Sequence, residues 1–514
     1  MNLAEQVKQI VMSTPHKKAY HYQGKDTSYI EFDQLVGTLA FSLQKVGIKK
    51  GDHIAFLLGN TPDFLISLYA CMRIGATAVP INPIFTLDEI SYIFNNGDIK
   101  SVIAHDTLLP MLDEGKLNYP KVETFIVCES SNDPLINLDS ISKEMKNRLH
   151  FFSDFLSESS LIETFDIQDE DTAIILYTSG TTGKPKGAEL THVNLFANAR
   201  DVAHFMKFTA EDRVIATLPI FHVFALTVVI NAPLFVGATI LIALRFSPSE
   251  IFTLAKSQEA TVFAGVPTMY NFLYQYPKGN AQDFSTLRMA ISGGAPLPHQ
   301  VLHNFEEKFN VRISEGYGLS EASPVTCFNA LDAERKVGSI GKSITNVENK
   351  VVDEQGCELP PNVVGELIVR GPNVMKGYYK MPEETAKTLR DGWLYTGDLA
   401  KKDDEGYFYI VDRKKDMINV GGFKVYPREV EEVLYQFPEV LEAAVIGKED
   451  EDFGEVVYAF VVLKDNGILQ EELIEYCSRH LAKYKIPKVI KILEALPKSS
   501  TGKILRRTLK EMNF

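Results

Sequence analysis

Short apolar runs alternate along this chain with stretches in which apolar residues recur every three or four positions. The runs include His53–Leu58, Ala76–Pro80, Ser101–Ala104, Thr124–Val127, Thr172–Tyr177 and Thr261–Ala264. They are rich in strand formers, which predicts buried β-strands. Between them, Phe32–Val46 and Pro62–Ile74 carry the 3.6-residue period of helices. Strands alternating with helices predict layered α/β sheets, mostly parallel. Residues 1–20 read as an amphipathic helix. They lack the continuous apolar core of a signal peptide. Val223–Leu244 carries no charge and is long enough to span a bilayer. Asn231, Pro233 and Gly237 interrupt it, however, and Ala238–Leu244 is rich in strand formers, so a buried helix followed by a buried strand is expected.

After about residue 335 the texture changes to short strands and turns, such as Gly365–Arg370 and Tyr407–Val411. A β-rich, barrel-like subdomain is expected there. Asp412-Arg413-Lys414-Lys415-Asp416 has no apolar anchor and reads as a linker. The expected organisation is a large domain over residues 1–412, a hinge at 413–416 and a small α+β domain over 417–514. No repeat or low-complexity tract is evident.

The 514 residues are 45% hydrophobic and 23% charged, the profile of a globular chain able to bury a large core. The five cysteines are scattered, form no CxxC pair and are odd in number, which fits a reducing cytosol rather than a disulfide framework or a cysteine zinc site. A formal net charge of −14 argues against general affinity for nucleic acid. Any anionic ligand therefore needs local positive charge. Leu481–Phe514 supplies nine basic residues (Lys483, Lys485, Lys488, Lys491, Lys498, Lys503, Arg506, Arg507 and Lys510) against two acidic ones. It reads either as a solvated tail or as a basic surface facing a polyphosphate.

The most informative segment follows the apolar run at 172–177. Thr178, Ser179, Thr181 and Thr182 supply hydroxyls, Gly180, Gly183 and Gly187 free the backbone, and Lys184 and Lys186 add charge. Glycines, hydroxyls and lysines at this density suit the cradling of phosphates. The spacing is not that of a Walker A loop, because Thr178 and Pro185 stand where that motif needs Gly and Ser or Thr. Further along come Ser292-Gly293-Gly294-Ala295-Pro296, Gly316-Tyr317-Gly318-Leu319-Ser320-Glu321, Tyr395-Thr396-Gly397-Asp398 and Thr501-Gly502-Lys503. Taken singly, each has an ordinary reading: a turn tyrosine, an exposed glutamate, a capping aspartate, one more surface lysine. His222 taken alone is equally a structural histidine.

Taken in order, these motifs resemble those of the adenylate-forming enzymes: acyl- and aryl-CoA synthetases, luciferases and peptide-synthetase adenylation domains. The resemblance covers essentially the whole chain. It implies that Thr178–Lys186, Gly293, Gly294, Ala295, Gly316, Tyr317, Gly318, Ser320, Asp398 and Arg413 bind ATP or AMP. Tyr317 would stack on adenine, and Asp398 and Arg413 would hold the ribose. Glu321 is the implied Mg²⁺ ligand. Lys503 and His222 are implied beside the reacting carboxylate, Lys415 as the hinge, and Gly421 and Gly422 beside the coenzyme A channel. Val223, Phe224 and Val266 would line the acyl pocket. Ser320 stands where many relatives carry Thr.

The implied activity is ATP-dependent joining of a carboxylic acid to coenzyme A through an acyl-adenylate. A medium-to-long-chain fatty acid is the expected substrate. The alternatives are an aryl acid of the 4-coumarate or benzoate kind, loading of a carrier protein, and a non-catalytic nucleotide sensor. The implied partners are small molecules, with a monomer or homodimer, a cytoplasmic location and room for loose membrane contact.

Overall fold

The computed structural model describes residues 2–129, 140–157, 166–178, 184–464, 467–499 and 502–512. Two large sheets form its body. The first has eight strands, in the order 377–378, 186–191, 172–178, 77–80, 53–57, 99–105, 124–128 and 149–151. The second has nine, in the order 342–343, 325–328, 313–318, 289–292, 262–265, 213–216, 239–242, 18–22 and 25–28. The central pairings are parallel, as alternation of strands with helices predicts.

Helix Pro62–Ile74 packs in the shared core. Pro62 opens it, Asp63 lies in its first turn, and Gly75 ends it at a φ of 70°, where a side chain would be strained. Almost all of its residues are buried, so it is apolar around most of its circumference.

Two expectations are refined. The N-terminal helix covers only Leu3–Ser13, and Lys18–Tyr22 is a strand of the nine-stranded sheet, paired between strands 239–242 and 25–28. Thr14 precedes Pro15, and a residue before proline is disfavoured in the helical region. Val223–Val236 is helical, with a wider π-turn over Leu226–Asn231, and Thr239–Ile242 is the strand that follows. Among the described residues no helix is long and apolar enough to cross a membrane.

Strands 348–352, 365–370, 393–402, 389–390 and 408–413 make an antiparallel sheet, bridged to the nine-stranded one between Gly341 and Phe408. Beyond it, strands 418–420, 423–425, 440–450, 454–463 and 489–492 form a separate five-stranded sheet. Helices Pro427–Tyr435 and Gln470–His480 cover that sheet around their own hydrophobic cluster. The chain is thus a large mixed α/β domain followed by a small α+β domain.

Asn60 joins the two large sheets. It follows strand 53–57 of one, and its buried amide donates to the carbonyls of Leu218 (3.0 Å) and Ala243 (3.2 Å) beside the other. Its oxygen accepts from the amide of Ile220 (3.0 Å), two residues before His222. Asn60→Ala leaves these groups buried and unpaired, so a loss of roughly 2–4 kcal/mol is expected. Calorimetry should show a lowered melting temperature for this variant and little change for a substitution at exposed Lys8.

Candidate active site

The cleft is built from strand ends and from one loop of the small domain. Tyr317 lies in strand Ile313–Gly318, and its hydroxyl donates to Asp398. Asp398 and Arg413 face each other across neighbouring strands, with the guanidinium 3.5 Å from the carboxylate. Gly397 holds a φ of 73°, a left-handed bend that suits glycine just before Asp398. Thus Tyr317, Asp398 and Arg413, read from two distant motifs, are brought together.

Glu321 sits in a short helical turn, Ser320–Ala322. Its Oε1 accepts from the hydroxyl of Tyr378 (2.8 Å). Among the described residues no group of three His, Cys, Asp or Glu side chains is placed to hold a metal. A single carboxylate with its second oxygen available fits Mg²⁺ arriving on a nucleotide, because that ion takes one or two carboxylates and completes its shell with phosphates and water.

Ser179, Gly180, Thr181, Thr182 and Gly183 lie outside the described residues. Thr178 and Lys186 flank them as an antiparallel pair. Lys184 stands over the ring of Tyr92 (5.8 Å). Lys186 forms an ion pair with Glu384 and lies 5.3 Å from the centre of the Tyr378 ring. Its charge is therefore partly compensated within the protein. Tyr378 touches both Glu321 and Lys186, and sequence reasoning missed it. The aromatic pair Tyr378-Tyr379 after Gly377 was its only signal.

Gly293 and Gly294 end strand Met289–Ser292 and face Phe224. A Cβ on Gly293 would stand 3.2 Å from the Phe224 ring, and one on Gly294 would stand 3.7 Å from Val266. Phe224 and Val266 thus make one wall with this glycine turn, with Ala295 next along it. Val223 points into the large core. His222 caps the helix that follows, its Nδ1 accepting from the amide of Phe224 (3.3 Å). Burial, and then the charge of Lys503, lower the His222 pKa to about 4, so the ring is neutral near pH 7.

Lys503 reaches the cleft from the small domain. Gly502 packs on Val266 and Thr268: a Cβ there would stand 3.2 Å and 3.1 Å from them. The Lys503 side chain keeps solvent contact, yet protein atoms crowd it. That crowding, followed by the charge of Arg413, lowers its pKa to about 8; Asp398 acts in the opposite sense, and Arg506 and Lys415 add to the lowering.

The rest of the basic tail does not face the cleft as one surface. Lys485, Lys488, Lys498, Arg506 and Arg507 are paired with Glu429, Asp450, Glu442, Glu431 and Glu511. Lys415 is exposed but close enough for its charge to act on Lys503, whereas Gly421 and Gly422 are the exposed tip of the hairpin between strands 418–420 and 423–425.

The ammonium of Lys503 should titrate near pH 8 in the native protein. Reductive ¹³C-methylation followed by NMR across pH checks this. Arg413→Met removes a neighbouring positive charge and should move the midpoint upward.

Comparison with known proteins gives this geometry its context. Residues 7–379 match the AMP-binding enzyme family and residues 429–503 the AMP-binding enzyme C-terminal domain. A long-chain-fatty-acid–CoA ligase of Bacillus subtilis (strain 168) is 38% identical, over 97% of this chain and 92% of its own length. A feruloyl-CoA synthase of Amycolatopsis sp. is 34% identical, over 96% and 95%. Among solved structures, ATP-bound MatB from Rhodopseudomonas palustris superposes with a TM-score of 0.90 at 33% identity over 99% of both chains. The chain belongs to the AMP-binding, adenylate-forming enzyme family, and is an ATP-dependent, AMP-forming acid–thiol ligase.

Proposed function

We propose that the chain joins an apolar carboxylic acid to coenzyme A in two steps at this cleft. In the first, a carboxylate oxygen attacks the α-phosphorus of ATP, the bond to the β-phosphate breaks, and acyl-AMP and pyrophosphate form. In the second, the sulfur of coenzyme A attacks the acyl carbon, and AMP leaves as its C–O bond breaks. The thiol proton passes to solvent.

The observation that carries this reading is the arrival of Lys503 beside Asp398, Arg413 and neutral His222. The first step brings two anions together, so fixed positive charge is its main electrostatic need. The Lys503 ammonium is present below about pH 8 and is lost above it. Asp398 presents a carboxylate suited to a ribose diol, and Tyr317 presents an aromatic face suited to adenine. Mg²⁺ brought with ATP would offset polyphosphate charge beside Glu321. His222, being neutral, lies beside the acid without adding to its electrostatic load.

The acid is an apolar one. Phe224 and Val266 pack on the bare backbone of Gly293 and Gly294 as one apolar wall. Such a wall suits an apolar acid, and the 34% identity to a feruloyl-CoA synthase supports an aryl one. The second reading is a medium-to-long-chain fatty acid, supported by the 38% identity to a long-chain-fatty-acid–CoA ligase. The exposed Gly421-Gly422 hairpin would turn toward the cleft for the second step, about Lys415, leaving room for a narrow pantetheine arm.

AMP release should be measured with ATP, Mg²⁺ and coenzyme A against benzoate, 4-coumarate, octanoate, palmitate and oleate. Turnover led by the aryl acids is expected, and turnover confined to the aliphatic chains would establish the second reading. Acyl-AMP that accumulates with no response to coenzyme A would indicate carrier loading instead, and silence with every acid a nucleotide sensor. Lys503→Ala should slow acyl-AMP formation by roughly 10²- to 10³-fold. In the wild type, that step should decline as pH rises through about 8.

A further inference from the structure

Arg506 is the most heavily engaged cation of the small domain, and the reaction scheme gives it no part. It opens helix Arg506–Glu511, three residues after Lys503. Its Nη2 donates to both oxygens of Glu431, at 2.7 and 2.9 Å. Its Nη1 stands 3.6 Å from Asp412 and 3.6 Å from Asp416. Three carboxylates thus converge on one guanidinium, whose planar fork can serve several acceptors at once.

Those carboxylates differ in where they belong. Asp416 and Glu431 follow Lys415 in the chain and lie on the same side of the hinge as Arg506. Asp412 precedes it, in the last strand of the large domain, paired with Leu399. If the small domain turns about Lys415, Arg506 keeps Glu431 and Asp416 and loses Asp412. The Arg506–Asp412 pair therefore belongs to one arrangement of the two domains, the one with Lys503 in the cleft. Asp412 is buried, and it also accepts from the amide of Arg428 (3.0 Å), the second residue of helix Pro427–Tyr435.

The link from Arg506 to Lys503 is short and stiff. The Lys503 carbonyl accepts from the amide of Ser499 (2.8 Å), and the amide of Leu505 donates to the carbonyl of Pro497 (2.8 Å). Lys498 and Ile504 pair between these two bonds. A shift of Arg506 is thereby passed to the loop that carries Lys503.

We infer that Arg506 is a positioning residue, a latch that holds Lys503 in the cleft for acyl-AMP formation by pairing with Asp412, and that lets go for the thioester step. The inference rests on the two-step reading above. Arg506→Lys keeps the charge but loses the fork, and Asp412→Asn removes the charge while keeping one of the two oxygens that accept from the amides of Arg413 and Arg428. Each half-reaction is measured separately in the full-length chain: acid-dependent exchange of pyrophosphate into ATP, and thioester formation from synthetic acyl-AMP and coenzyme A. Each variant should slow exchange by roughly 10- to 100-fold, the scale expected when a reacting group is displaced by about 1 Å. Thioester formation should stay within about 3-fold of wild type, and the double variant should be no slower in exchange than the slower single one, because both remove one contact. Equal losses in both half-reactions, unchanged exchange, or effects that multiply in the double variant would each overturn the latch. A wild-type chain that performs neither half-reaction with any acid of the panel would overturn the two-step reading, and the latch with it.

Discussion

The cleft is organised around one ammonium group held among charges of its own sign. Arg413, Lys415 and Arg506 all oppose protonation of Lys503, as does the crowding around it, while Asp398 favours it. Placing that group there costs free energy in the absence of an anion, and the cost falls when an anionic substrate takes up the field. Asp398 offsets part of the repulsion, and it is itself braced by the Tyr317 hydroxyl and by Arg413. Strand ends of the large domain hold those three groups, and a loop of the small domain brings Lys503 to them.

The same economy of charge runs through the surroundings. Lys186 is met by Glu384 and Tyr378, and five basic residues near the C-terminus are met by carboxylates of the small domain. Positive charge directed at a polyphosphate is thus selective rather than general, which agrees with an acidic chain that recognises one kind of anion. The neutral state of His222 fits this pattern: burial next to Lys503 makes a second cation there unfavourable.

Much of the fold was legible because periodicity follows burial directly. The runs at 53–58 and 172–177 are strands within a residue or so, since a strand buried on both faces must be apolar along most of its length. The stretch 223–244 divides at Gly237, while the helix runs on through Pro233. The helix predicted over residues 1–20 was too long, because its polar C-terminal part has a second pattern, a short strand, which only pairing with strands 239–242 and 25–28 selects.

The sequence by itself determined the order of α and β elements and the glycine-rich turns, and it marked Tyr317, Glu321, Asp398, Arg413 and Lys503 as candidates to meet a nucleotide. Local chemistry leaves each with an ordinary reading, and it is the order of their motifs along the chain that sets them apart. Only the tertiary structure decided which of those groups share a cleft and which charges remain available. Tyr378 against Glu321, Glu384 against Lys186 and Asp412 against Arg506 are contacts between residues 57, 198 and 94 positions apart. No local pattern records such pairs, because ion pairing and burial depend on distance in space, and that is set by how the sheets bring remote strands together.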